Sequence, residues 1–399
     1  MKNSIRVIFL DGIRGWASLM VLLSHLVANF LAIFTPQLHF NKEKLMSDIA
    51  DHHYWGFIFG VFLRFVTDGH LAVLIFFVLS GYALSAAHLV PPKRNLGLAA
   101  AARYFRLMIP ILFTSCIAYL LLKFGLFFNV EATRAEPAYA NWLGTFYNFD
   151  ANFLKALKFS LHDVFLKYDD AGTYNSSLWT MRTELYGSFF IYLYLAVFRK
   201  TEKIQWKIIG ILGLALYLFE TLYACFVAGY VIAELNKKYQ SGDMAIYKCP
   251  SQIVLLCIFA IAAIASTFFR GNDKITFLIA TAIVFSVSFS SWLKSFFSTR
   301  ISEFLGKISF PLYLIQILVI CSWSSYLAIH LPRFGLSNLH SCFLIFFSTV
   351  TICLIASIGL IPVEKTSVVL SKKIARLILR GAESGVRNLV RLYPNPPKS

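Results

Sequence analysis

Charge is scarce in this chain of 399 residues: 14% are charged, against 58% hydrophobic. A water-soluble domain needs about 25% charged residues to cover its surface, so water is excluded as the main solvent. Ten-residue stretches of alternating polarity are absent, which excludes a membrane β-barrel. The seven cysteines include no CxxC pair. Cys116, Cys225, Cys257, Cys321, Cys342 and Cys353 fall in apolar stretches and Cys249 in a short loop, a distribution that argues against disulfides and thiolate metal sites. The GxSxG, HExxH and Walker A patterns are missing, which disfavours serine-hydrolase, zincin and nucleotide-hydrolysis chemistry. His39, His52 and His53 stand near Asp48 and Asp51, but without helical ligand spacing, so no metal is expected. No internal repeat is visible, and the inverted halves of many transporters have no counterpart.

What the chain does have is apolar runs of about 18 to 25 residues, the length that crosses a hydrocarbon core of roughly 30 Å as helix. They predict an all-α polytopic bundle of about ten spans, near residues 13–34, 69–90, 106–125, 178–198, 206–219, 221–235, 251–269, 275–292, 308–330 and 341–362. Lys2 and Arg6 precede the first run, yet it is too long for a signal peptide and no small-residue cleavage site follows, so it is expected to stay. The net charge of +17 is dispersed between spans rather than gathered on one module, which points to topology and not to nucleic acid. An amino terminus in the cytoplasm puts 24 of the 37 Lys and Arg on that side and 11 opposite, with Arg14 and Arg182 inside spans. Both termini are therefore predicted cytoplasmic.

Two long outer connections, 35–68 and 126–177, interrupt the spans. The first holds an apolar piece at 55–66, too short to span. The second holds 153–166, where apolar and basic positions alternate with helical period, which predicts a surface helix. Residues 1–364 form the transmembrane domain. Residues 365–399 form a basic cytoplasmic tail with Lys372, Lys373, Arg376, Arg380, Arg387 and Arg391, expected to be an amphipathic helix on anionic membrane lipid.

Ionisable residues inside spans are costly and carry the chemistry. The first span sets Asp11, Arg14, Ser18 and His25 on one stripe. Arg14 and His25 are eleven positions apart, about 20° beyond three turns and roughly 16 Å along the axis. That suggests an anion site at the inner end and proton handling nearer mid-membrane, although a buried structural histidine and an Arg14–Asp11 anchor explain the same residues. Arg103 and Arg106 share a face at the start of the third span and suit either topology anchoring or phosphate binding. Arg182 and Glu184 lie within the fourth, where Glu184 is expected to meet His25 at similar depth, or else to form a structural salt bridge.

In order along the chain, LDGIRG followed by His25 resembles the Arg-x10-His motif of the membrane acyltransferase family 3, which includes bacterial sugar and peptidoglycan O-acetyltransferases. FFVLSGY at 76–82 resembles its second-span signature and RYFRLMIP at 103–110 its Arg-x-x-Arg-plus-Pro element. SLWTMRTE at 177–184 is similar to its Trp-Ser-Leu-x-x-Glu element, LGKISFPLYLIQ at 305–316 to its penultimate-span motif, and Pro362, Val363 and Glu364 to its closing Glu-Pro region in a different order. The chain departs from the pattern in having Ala72, Val73 and Leu74 for Gly-Val-Asp, Gln316 for a frequent His, and Gly187-Ser188 for Phe-Tyr.

The resemblance implies transfer of an acyl group, usually acetyl, from cytoplasmic acyl-CoA to a hydroxyl-bearing acceptor such as a glycan or lipid-linked sugar, in a bacterial inner membrane. Arg14, Arg103 and Arg106 would hold the coenzyme A phosphates. His25, supported by Glu184, would act as general base or acyl carrier, with Asp11, Ser80, Tyr82, Trp179 and Arg182 lining the substrate pocket. The competing reading is a proton-coupled transporter or flippase using the same buried Arg, His and Glu.

Overall fold

The computed structural model describes residues 8–31, 47, 53–89, 95–135, 142–198, 202–241, 250–334 and 338–392. The loop residues His39, Asp48, Asp51 and His52, and also Lys2, Arg6 and Cys249, lie outside these. The described residues hold helices and no strand. The elements that matter below are α1 (Ile8–Leu26), α2 (Tyr54–Val66), α3 (Gly69–Leu89), α4 (Leu96–Lys123), α5 (Asn129–Ala135), α6 (Phe153–Lys158) and α7 (Val164–Leu166). They continue with α8 (Thr180–Phe198), α9 (Glu202–Phe219), α10 (Thr221–Gln240), α11 (Gln252–Phe268), α12 (Asp273–Phe289), α13 (Ser291–Phe297), α14 (Arg300–Val319), α15 (Ser325–His330) and α16 (Asn338–Leu392).

A helix stands at each of the ten apolar runs. Among the described residues five helices are long and apolar enough to cross a membrane: Ile8–Phe30, Gly69–Leu89, Leu96–Lys123, Arg300–Phe334 and His340–Gly381. The pair α12 and α13, bent by 98°, makes a sixth if counted as one span. Helices α8 and α10 fall short for a physical reason. They carry Arg182 and Glu184, and Glu234 and Asn236, and the last two are buried in the protein rather than facing lipid.

The bundle is assembled by close backbone crossings. Helix α1 lies against α14 where Gly15 meets Gly306, and α3 lies against α10 where Gly81 meets Phe226 and Gly229 meets Val78 and Tyr82. Lipid tails are as apolar as leucine side chains, so helix association in a membrane relies on such van der Waals contact.

Two expectations change. Residues 153–166 keep an exposed side, with Leu154, Leu161 and Leu166, but run along α4 rather than standing apart from the bundle: Phe153 packs on Tyr119, Phe165 packs on Tyr104, and Tyr104 OH donates to Leu161 O at 2.5 Å. Tyr104 and Tyr119 are fifteen residues apart on α4, about 22 Å, so the segment descends alongside that helix. Buried Phe159, Ser160, Val164 and Phe165 hold it there, and a π-helical turn, Phe159–Asp163, joins α6 to α7. The second change concerns residue 364, where no break occurs: α16 runs as one helix of 55 residues with Pro362 inside it.

A Cβ at Gly306 would run into the backbone of Asp11, whereas one at Gly359 meets nothing within 4 Å. Gly306→Leu is therefore expected to cost about 1–3 kcal/mol through overpacking, read as a lower Tm of the detergent-solubilised protein. Gly359→Leu should leave Tm in place, and equal effects of the two would refute the crossing.

Candidate active site

A cavity of about 1000 Å3 opens among α1, α3, α14, the 142–179 connection and the turn at Arg270 and Gly271, and His25 lines it. His25 stacks on Trp142, with ring centroids 5.0 Å apart and planes 27° apart, and Trp142 packs edge-on against Phe146 at 4.9 Å. Trp142 is held from behind. The buried Asn129 on α5 donates from Nδ2 to Leu143 O at 2.8 Å and to Phe146 O at 2.9 Å. Past His25, α1 widens into a π-helical turn, Val27–Leu31, and Asn29 Nδ2 donates to His25 O at 2.7 Å. The His25 Nδ1 atom is buried without a hydrogen-bond partner among the described residues. A buried ring nitrogen normally has one, so this atom carries unused hydrogen-bonding capacity.

Ser176, Ser177, Trp179 and Tyr313 also line the cavity. The Oγ atoms of Ser176 and Ser177 are buried and unpartnered among the described residues. Tyr313 OH donates to Ser177 O at 2.5 Å and lies 2.8 Å from Thr180 Oγ1. Behind it, buried Gln316 has no partner for Oε1, and its Nε2 reaches Tyr313 O at 3.4 Å. At the rim, Asp68 Oδ1 accepts from Leu71 N at 2.9 Å, and its Oδ2 lies 3.6 Å from Arg270 Nε. Arg270 also caps the carbonyl of Thr67. His70 Nε2 lies 2.9 Å from Asp273 Oδ1, at an angle that is not that of a hydrogen bond.

A second, ionic centre lies deeper in the bundle. Glu184 Oε1 pairs with Arg103 Nη2 and accepts from Ser80 Oγ at 2.7 Å. Arg103 Nε donates to Ser188 Oγ at 2.8 Å, and Ser188 Oγ donates to Glu184 O at 2.6 Å. The pair is largely desolvated, with side chains 11% and 12% exposed. Arg106 stands within electrostatic reach of Arg103, Arg14, Glu364 and Tyr192, and Arg14 Nη1 lies 3.8 Å from Asp11 Oδ1. The three arginines singled out in the sequence are thus one cluster.

The expected contact between Glu184 and His25 does not form. Gly69 packs on Ser24, next to His25, while Ser80, eleven residues further along α3, bonds Glu184. Eleven residues of helix are about 16 Å, so carboxylate and imidazole lie at different depths. Helix α8 begins at Thr180, directly after the cavity-lining Ser176, Ser177 and Trp179, so Glu184 lies past the cavity and not beside it. Arg182 is also misplaced as pocket lining: two residues from Glu184 means about 200° around the helix, and it sits exposed over the Tyr186 ring. Tyr82 is turned in the same way from Ser80, and its OH accepts from Asn236 Nδ2 at 2.5 Å. Ser80 supports Glu184, Ser18 donates to Gly15 O at 2.7 Å, and of the expected lining only Trp179 reaches the cavity. Asp68, Arg270, Tyr313 and the two serines were not picked out. For Asp68, its place in TDGH at the head of the second span was the available signal.

Removing one member of a buried ion pair strands the other charge, at about 3–5 kcal/mol. Glu184→Leu or Arg103→Met alone is expected to destabilise the solubilised protein by about that much, and the double variant by less than the sum of the two. Additive losses would show that the pair is not coupled.

Residues 7–358 match the family described as an acyltransferase domain, acyltransferase 3. No curated protein and no solved structure matches the chain. With the match covering nearly all of a helical chain that holds several membrane-length helices, the protein belongs to acyltransferase family 3 and is an integral membrane acyltransferase.

Proposed function

We propose that this acyltransferase moves an acyl group, in the first instance acetyl, from coenzyme A to a hydroxyl of a glycan, a lipid-linked sugar or another membrane-presented acceptor. The carrying observation is the His25 ring, which lines a large cavity and stacks on Trp142, three turns along α1 from Arg14. In this reading all ten apolar helices cross a bacterial inner membrane, both termini face the cytoplasm, and the cavity faces outward. The excess of Lys and Arg on the terminal side supports that orientation.

Coenzyme A phosphates are held by Arg14, Arg103 and Arg106, whose guanidinium groups suit bidentate phosphate contacts. Arg14 and His25 are separated by roughly 16 Å of rigid helix, a length that an extended pantetheine arm can bridge. Tyr313 lines the cavity and lies within electrostatic reach of Glu184, so the ionic centre and the cavity adjoin through it. His25 takes the proton of the acceptor hydroxyl as that oxygen bonds the thioester carbonyl carbon. The carbon–sulfur bond then breaks, and the proton passes to the departing thiolate. Glu184 keeps Arg103 in place rather than orienting His25.

Loss of the base is expected to lower acyl transfer by about 10²–10⁴-fold. His25→Ala, purified and shown to be folded, should therefore release almost no free thiol from acetyl-CoA in proteoliposomes supplied with acceptor; retained turnover would remove His25 from the chemistry. Arg106→Ala should raise the Kd for coenzyme A about tenfold, the loss of one charge-assisted contact. An unchanged Kd would leave Arg106 a topology anchor.

A further inference from the structure

Helix α16 outruns the membrane. From residue 338 to residue 364 it already extends about 39 Å, more than a hydrocarbon core of about 30 Å, and it continues to Leu392. Residues 365–381 contain Lys365, Lys372, Lys373, Arg376 and Arg380 and no Asp or Glu. All five basic side chains are exposed, and at about 100° per residue they share one arc of about 100°. The far side of the same stretch carries Ser367, Ser371 and Ala375, each buried. Of the elements that pack on α16, α4 and α14 supply the main contacts, so that side is seated on the bundle. The basic arc starts at Lys365, beside Glu364, which lies within electrostatic reach of Arg106 and through it of Arg14 and Arg103. Positive charge therefore runs from the exposed helix into the arginine cluster.

We propose that this stripe on α16 is a docking ramp for the 3′-phosphorylated ADP end of the acyl donor, steering it to Arg14, Arg103 and Arg106. The inference rests on the coenzyme A reading above. A track of one sign leading into a low-dielectric mouth raises the local concentration and capture rate of a polyanion by 10-fold or more. A lipid anchor is the competing use of a basic helix, and exposed Leu370 and Leu377 beside the stripe are what such an anchor would present. Two features favour the donor: the small-residue side is occupied by the bundle, and the charge leads to a cluster already able to hold phosphate.

The test compares the full chain with Lys372→Glu/Lys373→Glu/Arg376→Glu in nanodiscs of zwitterionic lipid and in nanodiscs containing anionic lipid. In zwitterionic discs the triple variant should raise KM for acetyl-CoA about tenfold while turnover at saturating donor is kept. The KM of the unmodified chain should climb with salt and that of the variant should not. Acetyl-dephospho-CoA, which lacks the 3′-phosphate, should narrow the gap between the two. The milder Lys372→Gln/Lys373→Gln/Arg376→Gln should shift KM the same way by less. An unchanged KM and salt response in zwitterionic discs overturns the ramp, and a defect seen only with anionic lipid overturns it in favour of a lipid anchor. If the unmodified chain itself fails to turn over acetyl-CoA, the donor reading falls and the ramp with it. If it turns over and the variant matches it, the ramp alone falls.

Discussion

A guanidinium and a carboxylate buried in a helical bundle must find each other, because hydrocarbon offers neither a partner. The Arg103–Glu184 pair meets that constraint between α4 and α8, and Ser80 on α3 and Ser188 on α8 take up further bonding capacity. Three helices are thereby fixed in rotation and in depth. The glycine crossings of α1 on α14 and of α3 on α10 set how close neighbours come, but an apolar crossing tolerates rotation far better than a desolvated ion pair does. The rest of the site takes its register from this pair: the floor at Ser177 lies two turns above Glu184, and Tyr313 bridges from α14 to that floor.

The cavity beside His25 is built on a different principle. Its walls come from connections as well as from α1, α3 and α14, and those connections are tied by side-chain bonds to backbone. Asn129 holds both Leu143 and Phe146, Asn175 donates from Nδ2 to Leu314 O at 2.6 Å, and Tyr147 OH donates to Tyr174 O at 3.1 Å. Tyr147 adopts φ 60°, a left-handed conformation unusual for a bulky residue, while its ring stacks at 3.7 Å on Phe127. Backbone strain of this kind persists only where surrounding contacts outweigh it. The connection is a fixed roof, and it sets Trp142 against His25.

Hydropathy alone made the helices legible, and spacing put Arg14 and His25 on one helix, α1, since both follow from period and length. Depth was less so. Counting from an assumed membrane boundary placed Glu184 beside His25, because nothing local in the sequence says that α8 starts directly after a cavity-lining segment. Rotation was misjudged for Arg182 and Tyr82, where a two-residue offset from a correctly chosen neighbour turns the side chain away. The rim pair of Asp68 and Arg270 joins positions 202 residues apart, a distance over which a single sequence carries no pairing signal. The tail was read from its basic composition, which cannot distinguish a helix lying on lipid from the continuation of a span.

Placing Arg14 and the imidazole on one helix has a mechanical consequence. Their separation is set by helical rise, and α1 is locked to α14 by glycine contacts that leave no room for a sliding motion. On the proposed reading, a donor anchored at Arg14 therefore reaches His25 by its own length, past the groups between. The groups between are few. Tyr313 is held by bonds to Ser177 and Thr180 at the start of α8, on a helix that loosens beyond Val319 into a π-helical turn, Ile320–Ser324. Breaking two hydrogen bonds costs far less than parting a glycine-packed helix pair, so on the proposed reading the tyrosine, and not the bundle, is what gives way between the two centres.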